Sequence, residues 1–180
     1  MKHFITLLST FFFCLLAVSC VTAQSKLNMI SCSQYSNISF NGYTIEQINA
    51  TNGSPQSLQE LMGSATDIII WDGVRSKKFN YLSGYIHFNY KKGYADGWVT
   101  RMEVTNALWP VVIQGHTINV GDTEKSLIQK FGSDLKIFTS DFENLRFVAF
   151  SCLGNTYDGI DIEINPSTNK ISKILYYVLP

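Results

Sequence analysis

Two stretches, SLQELMGS at residues 57–64 and SLIQKFGS at 126–133, decide how this chain is read. They align position by position, and in each the apolar residues (Leu58, Leu61 and Met62; Leu127 and Phe131) fall on one face of a helix. Ser54 and Thr123 stand before the two runs, where a hydroxyl accepts from an orphan N–H. Pro55 suits a first helical turn, and Glu124 suits the positive end of the helix dipole. Gly63 and Gly132 fit the left-handed position that ends a helix. Helices of eight or nine residues are unstable alone, so both must pack on a sheet.

Further correspondences flank this pair. Asn41-Gly42-Tyr43-Thr44-Ile45 matches Gln114-Gly115-His116-Thr117-Ile118, with a longer connection, Glu46 to Gly53, in the first copy. Alternating Ile86, Phe88 and Tyr90 line up with Ile160, Ile162 and Ile164, and Met102 and Val104 with Ile174 and Tyr176. Matches in one order at nearly constant spacing mark internal repetition. The reading is an N-terminal segment at 24–37, one repeat at 38–106 and a second at 111–180, joined around Leu108-Trp109-Pro110.

Strand candidates follow each helix: Ile68 to Trp71 and Phe79 to Leu82 in the first copy, Leu135 to Phe138 and Arg146 to Cys152 in the second. Tyr85 to Tyr90 with Trp98 to Val104, and Ile160 to Ile164 with Lys170 to Val178, read as hairpins. The fold class expected is α+β: two tandem repeats, each a short helix followed by an antiparallel sheet, with the helices on one sheet face.

The first residues read as an address. Met1-Lys2-His3 is a positive start, Phe4 to Val18 is apolar, and Val21-Thr22-Ala23 suits cleavage before Gln24, so 1–23 is a secretory signal peptide. The stretch is too short to span a bilayer, and no later segment is apolar enough. Ala17-Val18-Ser19-Cys20 also resembles a bacterial lipobox, which would lipidate Cys20 and anchor the protein to the outer membrane; both readings stay open. The protein is thus exported, periplasmic or extracellular. Losing the signal removes Cys14 and Cys20, and leaves Cys32 and Cys152, which in an exported protein read as one disulfide. A free catalytic thiol at Cys152 is the alternative.

The chain has 180 residues with 14 basic and 14 acidic side chains. That balance argues against a nucleic-acid partner and a polybasic membrane surface. No phosphate loop, dinucleotide fingerprint, zinc-helix motif or nucleophile elbow occurs, so no catalytic residue, cofactor or metal is assigned. Asp158, Asp161 and Glu163 form an acidic cluster read as a solvated face. Lys77-Lys78 and Lys91-Lys92 are read as turn lysines.

The suggestive feature is a second face on the long strands. Opposite the core, Tyr85, His87, Asn89, Val99, Arg101, Glu103, Ile171, Lys173, Leu175 and Tyr177 share one side of the sheet. Tyr and Arg are frequent anchors of protein interfaces, so these residues, Val99 aside, are the candidate binding surface for a protein partner. The competing reading is that another part of the chain covers them.

A Val120-Gly121-Asp122-Thr123 lead into a short helix, a Phe131-Gly132 stop and an antiparallel meander resemble the repeat of β-lactamase inhibitor proteins. The same unit occurs singly in small outer-membrane lipoproteins of the barrel-assembly machinery, the SmpA/OmlA group. The best-matched stretches are 118–132 and 54–63. The resemblance implies a non-catalytic, exported binding protein whose repeats form a continuous concave sheet. Inhibitor proteins of this kind carry disulfides inside their repeats, which Cys32 and Cys152 cannot form, so no binding residue is carried over. Three functions follow: an exported binding or inhibitor-type protein, a lipid-anchored accessory of the outer envelope, or a hydrolase using His87 with Asp161 or Cys152.

Overall fold

The structure is a computed structural model and describes residues 27–91, 93–94, 96–140, 145–152 and 158–178. The signal at 1–23, Cys20 and the expected start at Gln24 lie outside these residues. The described chain opens with β1 (Asn28–Met29), α1 (Cys32–Ser36), β2 (Ser39–Phe40), β3 (Tyr43–Thr44), α2 (Ile45–Asn49) and α3 (Pro55–Met62). Strands β4 (Asp67–Trp71), β5 (Ser76–Tyr81), β6 (Gly84–Tyr90) and β7 (Gly97–Val104) follow. Then come β8 (Val111–Ile113), β9 (His116–Ile118), α4 (Glu124–Phe131), β10 (Phe138–Ser140), β11 (Leu145–Ser151), β12 (Asp158–Asn165) and β13 (Lys170–Val178).

The fold class read from the sequence needs correcting. Strand dominates, and the strands do not form one antiparallel sheet per helix. Nine belong to a single mixed sheet ordered β1-β11-β12-β13-β7-β6-β5-β4, with β10 also on β11. Its centre is the antiparallel β13–β7 pair, Ile174 opposite Val104 and Tyr176 opposite Met102. Its mixed character comes from β1, which runs parallel to β11. The remaining four strands make a second sheet, β3-β2-β8-β9, because β2 pairs with β8 across the chain. Self-comparison detects similar local segments. Which backbone edges meet depends on long-range pairing and has no local signature.

Local helix chemistry follows the expected physics. The Ser54 and Thr123 hydroxyls accept from the Ser57 and Ser126 amides. Gly63 and Gly132 both have positive φ, 83° and 94°, but ψ near 180°. They therefore occupy an extended region open essentially only to glycine, not the left-handed helical one. Two five-residue helices lay hidden: α1 and α2 each begin with a capping box, Ser31 with Gln34 and Thr44 with Gln47. Helix α2 falls inside the segment read as connection. The strand expected at Leu135 starts at Phe138, and Lys77 and Lys78 lie in β5 instead of a turn.

One apolar cluster joins all the layers. Ile86, Phe88, Met102, Val104, Ile160, Ile162, Ile164 and Ile174 line one face of the large sheet and are buried. Against them pack Leu58 and Met62 of α3, Leu127 of α4, Ile48 of α2, and Phe40, Val111, Ile113 and Ile118 of the small sheet. Burying each large side chain contributes roughly 1.5–3 kcal/mol. Cys32 and Cys152 form a disulfide across 120 residues, fastening α1 to the end of β11 with Cα atoms 4.8 Å apart. Asn28 reinforces this join: its amide donates to the Lys136 and Ala149 carbonyls and accepts from the Lys136 amide.

Candidate functional site

The large sheet has a second face, and strand alternation decides what stands on it. Register places His87 opposite Arg101 and Arg101 opposite Tyr177; the next row is Tyr85, Glu103 and Leu175. Lys173 stands opposite Glu163, and Asn89 opposite Trp98. Eight of the nine sequence candidates thus come together over β6, β7 and β13. Ile171 does not. A bulge in the β12–β13 pairing sets Ile164 opposite Ile171 and skips Ser172, so Ile171 turns into the core with 2% exposure. One inserted residue moves a side chain to the other face, which alternation read from sequence cannot anticipate.

A second bulge, between His87 and Phe88, places Thr100 and Arg101 against the single residue His87. Arg101 is the exposed member of this row. His87 is half-buried: its Nδ1 lies 3.1 Å from the Thr100 hydroxyl, and the Trp71 indole meets its ring edge-on at 5.7 Å. Burial, then the Lys78 and Arg101 charges, lower the His87 pKa below its ordinary value. It is therefore a largely neutral ring at pH 7.

The polar groups beside it lock together. Lys173 Nζ is 2.7 Å from Glu163 and 4.0 Å from Glu103. The Lys78 ammonium sits 3.9 Å above the Tyr85 ring. Burial, then Glu103, raises the Tyr85 pKa, while Arg101 pulls it down. The Tyr177 ring lies over Gly159, where an added Cβ would stand 3.0 Å from its hydroxyl. Burial, then Asp161 and Asp158, pushes Tyr177 up to about 12.

Asp161 changes the reading of the acidic cluster. It shares this face, but burial, then Glu163, pushes its carboxyl up to about 6, and its Oδ1 is buried with no hydrogen-bond partner among the described residues. Asp158 lies on the other parity of β12, opposite Val178. The three acids are therefore split between the two faces and are not one solvated patch. Among the described residues no three His, Cys, Asp or Glu side chains converge to hold a metal.

The pairings needed for hydrolysis are not made. Cys152 is consumed by the disulfide. Strands β7 and β13 stand between His87 on β6 and Asp161 on β12, a separation of roughly 14 Å at the usual strand spacing. Trp71, Lys78, Thr100 and Trp98 also build this face and were missed from sequence. The alternation of β5 and β7 held part of that signal, but the neighbours of β4 did not.

No family model and no curated protein matches the chain. Two solved structures resemble it. One is an extracellular protein containing a SCP domain from Bacillus anthracis strain Ames, at 12% identity and TM-score 0.41, over 70% of this chain and 43% of that one. The other is a cysteine-rich secretory protein from Staphylococcus aureus Mu50, at 10% identity and TM-score 0.36, over 70% and 44%. The chain spans less than half the length of each. The resemblance to β-lactamase inhibitor proteins and the SmpA/OmlA group drawn from sequence is corrected by the fold itself: the strands form one mixed nine-stranded sheet and a second of four, not two helix-plus-meander repeats. The residues quoted for that resemblance are a helix lead and a helix stop, local chemistry that short helices in many folds share.

Proposed function

We propose that this is an exported, non-catalytic protein that binds another protein through the open face of its large sheet. The observation that carries the reading is that face itself. Tyr85, His87, Trp98, Leu175 and Tyr177 stand half-buried around an exposed Arg101, on strands held from behind by the core. Aromatic and Arg side chains on a rigid platform lose little entropy on binding and supply most of the energy of protein interfaces. Interlocked pairs such as Lys173–Glu163 and Lys78–Tyr85 preorganise the surface before a partner arrives.

Export is supported by the apolar N-terminal stretch of the sequence and by a disulfide, which persists in oxidising compartments. Among the described residues, no helix is long and apolar enough to cross a membrane. The test is affinity capture from envelope extract and culture medium with wild-type protein and with Tyr85→Ala and Tyr177→Ala variants. One stoichiometric protein retained by wild type and lost by both variants is expected. Equal retention by all three would remove this face from the account.

A further inference from the structure

Asn-Gly occurs twice in the chain, at Asn41-Gly42 and Asn52-Gly53. The pair is reactive: a main-chain amide nitrogen can attack the asparagine side chain before it, and glycine puts no Cβ in the way. The fold treats the two pairs differently.

Asn41 and Gly42 are the central residues of the β2–β3 hairpin, closed by Phe40 opposite Tyr43. Both have positive φ, 52° and 87°, as a type I′ turn requires. Gly42 is exposed, with open space where a Cβ would stand. Among the described residues, no hydrogen bond holds its N–H or the Asn41 side chain. The Asn41 main-chain N–H ties the turn to the fold by donating to the Pro110 carbonyl at 2.9 Å.

Asn52-Gly53 is closed. The Gly53 N–H, which would supply the attacking nitrogen, donates to the buried Thr51 hydroxyl at 3.2 Å. The Gly53 carbonyl accepts from the Tyr90 hydroxyl at 3.3 Å, and that side chain fills the place of a Cβ. A third turn isolates the side-chain chemistry. Gln114 and Gly115 close the β8–β9 hairpin with φ of 51° and 80° and the same open space. Glutamine would have to close a six-membered ring, which forms far more slowly, and the Gln114 amide also donates to Gln34.

We infer that Asn41 is a self-modification site, at which the folded protein deamidates while Asn52 is protected. The Gly42 nitrogen bonds to Asn41 Cγ and the Cγ–Nδ2 bond breaks. The side-chain nitrogen leaves as ammonia, taking the Gly42 amide proton. Water then opens the succinimide at either carbonyl, giving aspartate, or isoaspartate with a main chain longer by a methylene. No oxidant, reductant or cofactor takes part. Either product adds a negative charge. The longer main chain cannot keep the two-residue turn, so the tie to Pro110 is lost and the small sheet loosens where Phe40 and Val111 pair and are buried. The open face of the large sheet takes no part.

The test ages the protein as its host exports it, in warm, mildly alkaline buffer. Ion exchange follows the charge, and peptide mapping with isoaspartate detection places it. Asn41 is expected to convert first. Two hydrogen bonds must open before Gly53 can attack, so Asn52 is expected to lag about 30-fold. Gln114 is expected to stay intact. In concentrated urea both Asn-Gly pairs are expected to convert at the same rate. Tyr90→Phe, which removes one guarding bond and keeps the ring, is expected to speed Asn52 about fivefold. Asn41→Gln is expected to abolish the early charge gain. An Asn41 that survives ageing of the folded protein, an Asn52 that converts as fast, or a lag of Asn52 that persists in urea overturns the inference.

Discussion

Replacing Asp161 by Asn should stabilise the protein at neutral pH and leave it slightly less stable near pH 4. In the folded chain the Asp161 carboxyl titrates at about 6, against an ordinary value of 3.8, because burial and then the Glu163 charge disfavour ionisation. The folded state holds this proton more tightly than the unfolded chain does. Stability is therefore lost as pH rises from about 4 to 6, and the cost is complete above 6. A gap of about two pH units, at 1.36 kcal/mol per unit, corresponds to about 3 kcal/mol. Asparagine cannot ionise and escapes that cost, though its new amide N–H₂ adds a polar group with about 1 kcal/mol of unmet hydrogen bonding. A net gain of about 2 kcal/mol at pH 7 is expected for Asp161→Asn. Urea unfolding of both proteins at half-unit steps from pH 4 to 7.5 measures it. A difference that stays constant with pH, or an Asn variant less stable at pH 7, would refute the assignment of Asp161 as a desolvated carboxyl.

Other outcomes follow from the same geometry. Reducing the Cys32–Cys152 bond, or Cys152→Ser, should cost about 2–4 kcal/mol in urea unfolding and free β1 from β11, seen as faster amide exchange at Ile30. Phe88→Ala, at a fully buried site under β6, should cost about 3–5 kcal/mol. A double-mutant cycle on Lys173 and Glu163 should give a coupling of about 1 kcal/mol that shrinks in high salt, since both side chains keep partial contact with water. Lys78→Met should raise the His87 pKa without restoring it fully, because burial is the larger cause; imidazole titration by NMR reads this directly.

How far the sequence carried can be judged from single elements. Short-range chemistry was legible: the Ser54 and Thr123 caps, the stops at Gly63 and Gly132, the pairing of Cys32 with Cys152, and the alternation that buries Ile86, Phe88 and Ile162. Each depends on residues a few positions apart, or on the presence of a single cysteine pair. Long-range pairing was not legible. Nothing local says that β7 takes β13 as its neighbour, that β2 crosses to β8, or that β1 lies parallel on β11. The two five-residue helices were too short to show a period. The bulges that turn Ile171 and Val99 inward involve one residue each and leave no compositional trace. For the candidate surface, the central rows were readable from parity. The desolvation of Asp161 and the edge-on contact of Trp71 with His87 required the third dimension.

The central claim, that the open face captures a protein, is tested most directly by comparing one charge reversal on that face with one on the helical side. Arg101→Glu alters the exposed centre of the face, and Lys125→Glu alters an exposed position on α4. Capture from envelope extract and medium should be abolished by the first and unaffected by the second. Loss with Lys125→Glu and retention with Arg101→Glu would contradict the account and place the partner on the helical side.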